Sequence, residues 1–194
     1  MLEIAQVPAA LAQRARSGDP AALNELLGEL RPLVVQTARL IVGSGSASAE
    51  DAAQDALLDI SRDIGRLRDP AAVRTWALRV ATRRALKVAR RERLFRANTS
   101  GALDEVCVAT EPRAEGRSLA LKEAFDHLPP KLRATAVLRL QGGLSEGETA
   151  QVLGCSIGTV KSNLHDARLQ LSTALTAAGY APAAKPQEGP NHDH

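Results

Sequence analysis

The sequence predicts an all-α protein built as two small helical domains joined by a flexible linker. Three observations carry that prediction. Apolar residues make up 44% of the chain but aromatics only 2%. Ala, Leu, Val and Ile must therefore fill the core, which suits packed helices better than sandwiches or barrels. Apolar positions recur at helical spacing in several separate stretches. That periodicity fades between Ala97 and Arg117, where Asn98-Thr99-Ser100-Gly101 and Glu111-Pro112 interrupt it. The expected division is a first domain over 1–96, a linker over 97–117, a second domain over 118–179 and a disordered tail over 180–194. A chain of 194 residues split this way has thin cores, so stabilisation by partners is expected.

The first helix is expected over Pro20–Thr37. It opens after Ser17-Gly18-Asp19-Pro20, a cap followed by proline at the first helical position. Pro32 should bend or divide it. Gly43-Ser44-Gly45-Ser46-Ala47-Ser48 then breaks the pattern, with Ser48 as the expected cap of the next helix and Asp51 three residues on. That helix sets Ala53, Leu57, Ile60, Ile64 and Leu67 on one apolar stripe. Asp69-Pro70 punctuates, and a helix follows from Ala71 to Phe95 with Val73, Trp76, Ala77 and Val80 facing inward.

In the second half a helix over Leu119–His127 should end at Leu128-Pro129-Pro130, and another over Lys131–Leu140 at Gly142-Gly143. Leu144–Leu153 reads as a short amphipathic helix with Ser145 and Glu148 as its capping box. Gly154 can take the left-handed conformation that ends it. Ser156 caps a last helix with Val160, Leu164, Ala167 and Leu171 on its buried side. The tail beyond Gly179 contains Pro182, Pro186, Gly189 and Pro190 and is expected to be disordered.

The spacing of Ala150, Gly154 and Val160 is that of a helix-turn-helix, in which the second helix enters the major groove of DNA. Its outward positions are Ser156, Gly158, Thr159, Lys161, Ser162 and Asn163. Short hydroxyls and an unhindered helix start suit phosphate oxygens. Lys161 can meet guanine or phosphate, and Asn163 can read adenine. An ordinary helical hairpin with a polar face is the plainer reading of the same residues.

Charge is segregated between two neighbouring helices. Arg74, Arg79, Arg83, Arg84, Lys87, Arg90, Arg91, Arg93 and Arg96 crowd one segment, with Glu92 the lone acid. Arg79, Arg83, Lys87 and Arg90 share a face, and a cationic stripe of that kind fits a run of DNA phosphates. Trp76, the sole tryptophan, reads as a core anchor before it reads as a platform for bases. The preceding helix repeats Asp51, Asp55 and Asp59 at i, i+4, i+8 beside Glu50 and Asp63. Like charges at that spacing repel by a few tenths of a kcal/mol per pair, so a basic partner surface is expected to offset them.

The order of these segments resembles the extracytoplasmic-function (ECF) class of the sigma-70 family. Ala49-Glu50-Asp51-Ala52-Ala53-Gln54-Asp55 resembles the family's A-E-D-x-x-Q-[DE] segment of region two. Trp76-Ala77-Leu78-Arg79-Val80-Ala81 resembles its W-L-x-x-I-A segment. Leu128-Pro129-Pro130-Lys131-Leu132-Arg133 resembles the L-P-x-x-x-R opening of region four, and Ser156-Ile157-Gly158-Thr159-Val160-Lys161-Ser162 its S-x-G-T-V-K-S recognition helix. The resemblance spans roughly 20 to 175.

The resemblance implies a promoter-recognition factor for RNA polymerase core. Asp51, Gln54 and Asp55, with Asp59 beside them, would dock on the clamp helices of the largest subunit. The helix carrying Arg74, Trp76, Arg79, Arg83, Arg84, Lys87, Arg90 and Arg91 would engage the minus-ten element. The last helix would read the minus-thirty-five element, near the polymerase flap region. The linker would thread toward the active centre, and an anti-sigma factor would hold the protein inactive. Arg83 stands where the family usually has Asn, and Asn163 and Asp166 where it usually has basic residues, which leaves the promoter sequence open.

Other expectations follow from what the chain lacks. Cys107 and Cys155 are far apart with no CxxC, which argues for reduced thiols and against a zinc finger. The first twenty residues have no basic start followed by an apolar run, and no apolar stretch nears the ~20 residues of a membrane helix. No membrane insertion, no cofactor, no metal, no catalysis and a cytoplasmic location are expected. His165, His192 and His194 are surface or tail residues. Two rival readings remain: a free-standing helix-turn-helix regulator, and a nucleic-acid enzyme gathering Mg²⁺ on Glu50, Asp51 and Asp55.

Overall fold

A computed structural model describes residues 7–43, 46–99 and 114–180. Helix α1 spans Ala9–Arg16, α2 Pro20–Val42, α3 Ala47–Asp63 and α4 Val73–Thr99. Short 3-10 turns over Ile64–Arg66 and Pro70–Ala72 link α3 to α4. The second half holds α5 (Ala114–His127), α6 (Pro130–Ala136), α7 (Glu146–Leu153) and α8 (Ile157–Ala177). The described residues contain helices and no strands.

Local chemistry sets most helix starts. Pro20 opens α2, where Asp19 accepts from the amides of Ala21 and Ala22 at 3.0 and 3.1 Å. Those amides, the Ala22 amide foremost, and then Arg14 at 2.7 Å hold the Asp19 carboxyl below its usual range. Ser46, not Ser48, caps α3 by accepting from the Ser48 amide. Both serines have the right chemistry; only Ser46 has the extended backbone an N-cap needs.

Pro32 does not divide α2, which runs as one helix to Val42. The lost backbone bond costs roughly 3 kcal/mol. Leu26 and Leu30 before it, and Leu33, Val34 and Ile41 after it, are all buried. At about 1.5–3 kcal/mol for each such side chain, that burial outweighs the defect. Helix α1 escaped the sequence reading because it has no side-chain cap and only 8 residues. It packs through Leu11, Ala12 and Ala15, and Arg16 donates to the carbonyls of Leu67 and Arg68 at 3.1 Å.

The core lies among α2, α3 and α4. Helix α3 presents Ala49, Ala52, Ala53 and Ala56, all buried, so the larger Leu30, Val34, Ile41 and Leu78 of its neighbours can close over it. Small residues on one helix replace the aromatic filling the composition lacks. Of the predicted stripe, Ala53, Ile60, Ile64 and Leu67 are buried and Leu57 is partly so.

The second half has little core of its own. Leu128, Leu132, Ala136 and Ala167 form it, with Phe125 and Leu171 packed at its edge. Ala134, Val137, Leu138, Leu144 and Val152 instead join the α2–α4 cluster. Helix α4 continues to Thr99 and α5 begins at Ala114, so helix occupies both ends of the span read as linker. Residues 100–113, with Cys107, lie outside the described residues, as does the tail from 181 with His192 and His194.

The helix expected to run to Leu140 changes character. After α6 it widens into a π turn over Val137–Gln141, closed by the Gly142 amide on the Val137 carbonyl at 2.9 Å. A Cβ on Gly142 would sit 2.6 Å from the Leu138 carbonyl oxygen. Only glycine fits there, and the chain then turns sharply into α7.

Candidate nucleic-acid and protein interfaces

Helix α3 turns its alanines inward, which leaves Glu50, Asp51, Gln54, Asp55 and Leu58 exposed on the opposite face. Leu58 is 47% exposed at the centre of this acidic surface, a position the charge pattern did not single out. Asp59 sits at the edge of the face. Arg84 of α4 grips it with two bonds, Nε to Oδ2 at 2.5 Å and Nη2 to Oδ1 at 2.6 Å, and reaches Asp55 Oδ2 at 3.5 Å. The bond from Arg84, ahead of its charge, holds the Asp59 carboxyl below its usual range, and Asp59 raises Arg84 in return.

This pair corrects one expectation. The repulsion along Asp51, Asp55 and Asp59 was expected to be offset by a partner protein; Arg84 offsets part of it inside the chain. Asp59 and Arg84 are engaged with each other, whereas Asp51 and Asp55 remain the outward carboxylates. Glu50 pairs with Arg39 of α2. The three acids of the Mg²⁺ reading thus do not converge, and the described residues hold no group of three His, Cys, Asp or Glu that could bind a metal.

The basic helix α4 divides along its length. Arg83, Lys87, Arg90 and Arg91 are exposed, with Arg83 near enough to Asp59 to help Arg84 hold that carboxyl down. Near its start, by contrast, the arginines meet the second half of the chain. Arg74 Nη1 donates to the Gly142 carbonyl at 3.1 Å, and Arg79 Nη2 donates to the Gln151 carbonyl at 2.7 Å. Trp76 is half-buried against the main core, in keeping with an anchoring role.

The helix-turn-helix is built as its residues predict. Ser145 accepts from the Glu148 amide at 3.2 Å while its own amide donates to Glu148 Oε2 at 2.7 Å. That backbone bond lowers the Glu148 carboxyl. Gly154 ends α7 in the left-handed region at φ 65°, and Cys155 donates back to the Ala150 carbonyl at 3.0 Å. Ser156 caps α8 by accepting from the Thr159 amide at 3.1 Å, and the two hydroxyls lie 2.9 Å apart. Val160, Leu164 and Ala167 are buried, and Leu171 is half-buried.

Ser156, Gly158, Thr159, Lys161 and Ser162 are exposed at the start of α8. A Cβ on Gly158 would meet only Ser156 Oγ at 3.7 Å. Nothing within the fold demands glycine there, and its absent side chain leaves room for an approach from outside. Lys161 lies 3.6 Å from Glu146 on an exposed surface, a weak tether. Asn163 departs from its expected role. It is half-buried, and its amide donates to Thr135 Oγ1 of α6 at 3.3 Å rather than pointing outward for adenine.

Comparison with known families agrees with this layout. The family description Sigma-70 region 2 matches residues 26–95, and Sigma-70, region 4 matches residues 118–171. The chain is 32% identical over 160 residues to the ECF RNA polymerase sigma factor SigM of Mycobacterium tuberculosis, covering 82% of this chain and 80% of that one. It is 33% identical over 181 residues to SigD of the same organism, covering 88% and 84%. Sigma-E of Escherichia coli is 29% identical over 174 residues, covering 81% and 88%. Among solved structures, CnrH in complex with the cytosolic domain of CnrY has a TM-score of 0.60 at 24% identity, over 87% of this chain and 97% of that one. RpoE in complex with the anti-sigma factor NepR from Bartonella quintana has a TM-score of 0.61 at 24% identity, over 79% and 96%.

Proposed function

This chain belongs to the ECF class of the sigma-70 family, and on that premise we propose how its surfaces share the work of starting transcription. Residues 26–95 form the region-two part and 118–171 the region-four part. Asp51, Gln54 and Asp55 dock on a basic surface of RNA polymerase core. Leu58 adds an apolar contact at the centre of that face. Arg83, Lys87, Arg90 and Arg91 follow the phosphates around the minus-ten element. Ser156, Gly158, Thr159, Lys161 and Ser162 meet the minus-thirty-five element.

The observation that carries this reading is the pair of oppositely charged exposed surfaces on α3 and α4, which the fold offsets only in part. Asp51 and Asp55 face outward on α3, with Arg84 reaching only Asp55, at 3.5 Å, while Arg83, Lys87 and Arg90 are exposed on α4. A charged row that its own fold does not neutralise is costly to keep unless a partner of opposite sign covers it. A free-standing regulator has use for the second surface but not the first.

No catalytic step is assigned to the chain. Each DNA-binding part is weak alone, and polymerase adds their affinities by holding both at fixed separation. Strand opening follows from capture of unstacked bases rather than from bond chemistry. The described helices include none long and apolar enough to cross a membrane, and the site of action is the cytoplasm, where polymerase and DNA lie. CnrH and RpoE were captured with CnrY and NepR; an anti-sigma factor is the corresponding regulator here.

Asp51→Arg combined with Asp55→Arg should abolish transcription from a random promoter library with purified core enzyme. Circular dichroism should stay unchanged, because both side chains are exposed. A double variant that still transcribes at the wild-type level removes α3 as the docking surface. Gel shifts with and without core polymerase separate this function from a free-standing regulator, which would bind DNA equally well alone.

A further inference from the structure

Helix α8 is lopsided in charge. Lys161, His165 and Arg168 recur at i, i+4, i+7, so they share one flank, and all three are exposed. Thr159, Ser162 and Asp166 recur at i, i+3, i+7 and share the other. Asn163 lies between that second flank and the buried side, where its amide donates to Thr135 Oγ1 at 3.3 Å. Asp166 therefore continues, one turn on, the face that Thr159 and Ser162 offer to DNA.

No described residue compensates this acid. Asp59, Asp63, Asp126 and Glu146 are half-buried, and each has a cation beside it: Arg84, Arg66, Arg133 and Lys161. Asp166 is half-buried as well, yet among the described residues it makes no side-chain hydrogen bond or ion pair. It stands inside α8 and caps neither end. Its neighbours one turn away are Ser162, Asn163, Leu169 and Gln170, none of them cationic. Taking a carboxylate partly out of water without a partner is unfavourable, and phosphates approaching α8 add repulsion. On a face that meets DNA, the missing donor has to come from the DNA.

The base edges decide which donor that is. A carboxylate can only accept. In the major groove guanine presents two acceptors, thymine an acceptor and a methyl group, and adenine an acceptor beside its amino group. Cytosine presents an amino donor with no acceptor next to it on its own edge. We infer that Asp166 is a specificity-determining residue of α8, accepting a hydrogen bond from the N4 amino group of a cytosine in the minus-thirty-five element. The inference rests on the assignment of α8 to that element. Lys161, His165 and Arg168 take the phosphates along the opposite flank. Where no cytosine stands, the same carboxylate meets only acceptors and phosphates, so it also selects by repulsion.

Transcription by core polymerase from promoters randomised upstream of the minus-ten element reads the contact directly. With the full wild-type chain, one position should favour cytosine by about fivefold to tenfold, as a single hydrogen-bonded base contact does. Asp166→Ala should erase that preference, leave the other positions as they were and raise the yield from templates that lack the cytosine. Asp166→Asn should move the preference towards adenine, whose N6 and N7 match an amide. Urea melts of both variants should coincide with the wild type, because no bond inside the fold is lost. An Ala variant whose base profile matches the wild type, or which gains equally on every template, overturns the inference and leaves Asp166 as a repelling charge alone. An Asn variant that favours cytosine as strongly as the wild type does so too. If the wild type itself selects no base upstream of the minus-ten element, the assignment of α8 fails and the cytosine contact falls with it.

Discussion

The two halves of this molecule reach their structures by different means. Region two is held by a continuous core in which Leu26, Leu30, Val34, Ile41, Ile60 and Leu78 are essentially inaccessible to water. Region four has a small core of its own, Leu128, Leu132, Ala136 and Ala167, and shares the rest with its neighbour. Its shape depends far more on local devices: a complete capping box at Ser145, a left-handed glycine at Gly154 and a hydroxyl cap at Ser156. A part with so little core of its own relies on short-range bonds to hold its shape. A part that serves as the platform can rely on distant packing.

That contrast can be broken most directly in the cores. Leu30→Ala should cost near the top of the range of about 2–5 kcal/mol for such truncations, and Leu132→Ala near its bottom. Urea unfolding of both variants checks the order, and equal losses would mean that region four is as core-dependent as region two.

The ion pair between α3 and α4 gives a smaller, pH-dependent effect. Asp59 is held below its usual range by Arg84. Its stabilisation is therefore fully present above the unfolded carboxylate value of about 3.9 and is lost as pH falls through the folded value. Asp59→Asn should lower stability at pH 7 by about 1 kcal/mol, since the pair is partly solvent-screened. It should also flatten the acid limb of a stability-against-pH curve measured by urea melts. An acid limb as steep as that of the wild type would assign acid sensitivity elsewhere, with Asp19 and Glu148 the next carboxylates in line.

Ser145→Ala removes one member of the capping box and should cost about 1 kcal/mol, read as faster amide exchange over α7 with α2 unaffected. Gly158→Ala should leave stability within about 0.5 kcal/mol, because its added methyl meets nothing closer than Ser156. The same change should weaken DNA binding of the polymerase complex if backbone there approaches a phosphate. A variant with native stability and native affinity would remove Gly158 from the interface.

Much of the candidate site was legible from the chain. The acidic and basic stripes, the capping box, the turn glycine and the start of α8 are all patterns within a few residues. What escaped was tertiary. Arg84 and Asp59 stand on opposite-signed helices, and their spacing within each helix carries no sign that the two pack so as to bring them together. Asn163 has the spacing of an outward residue, yet Thr135 of α6 draws its amide inward. Arg74 and Arg79 belong to the basic run by sequence, but the fold gives both to region-four carbonyls.

Helix identity, caps, turn and the segregation of charge depend on neighbours one to four residues apart, and the order of amino acids alone settles them. Which charges stay free depends on groups 25 to 72 residues apart, brought together only when apolar faces bury against one another. The burial that joins α7 to α4 is not directional, so it leaves no local trace in the chain. Yet it decides which arginines of the basic helix face solvent and which are already taken.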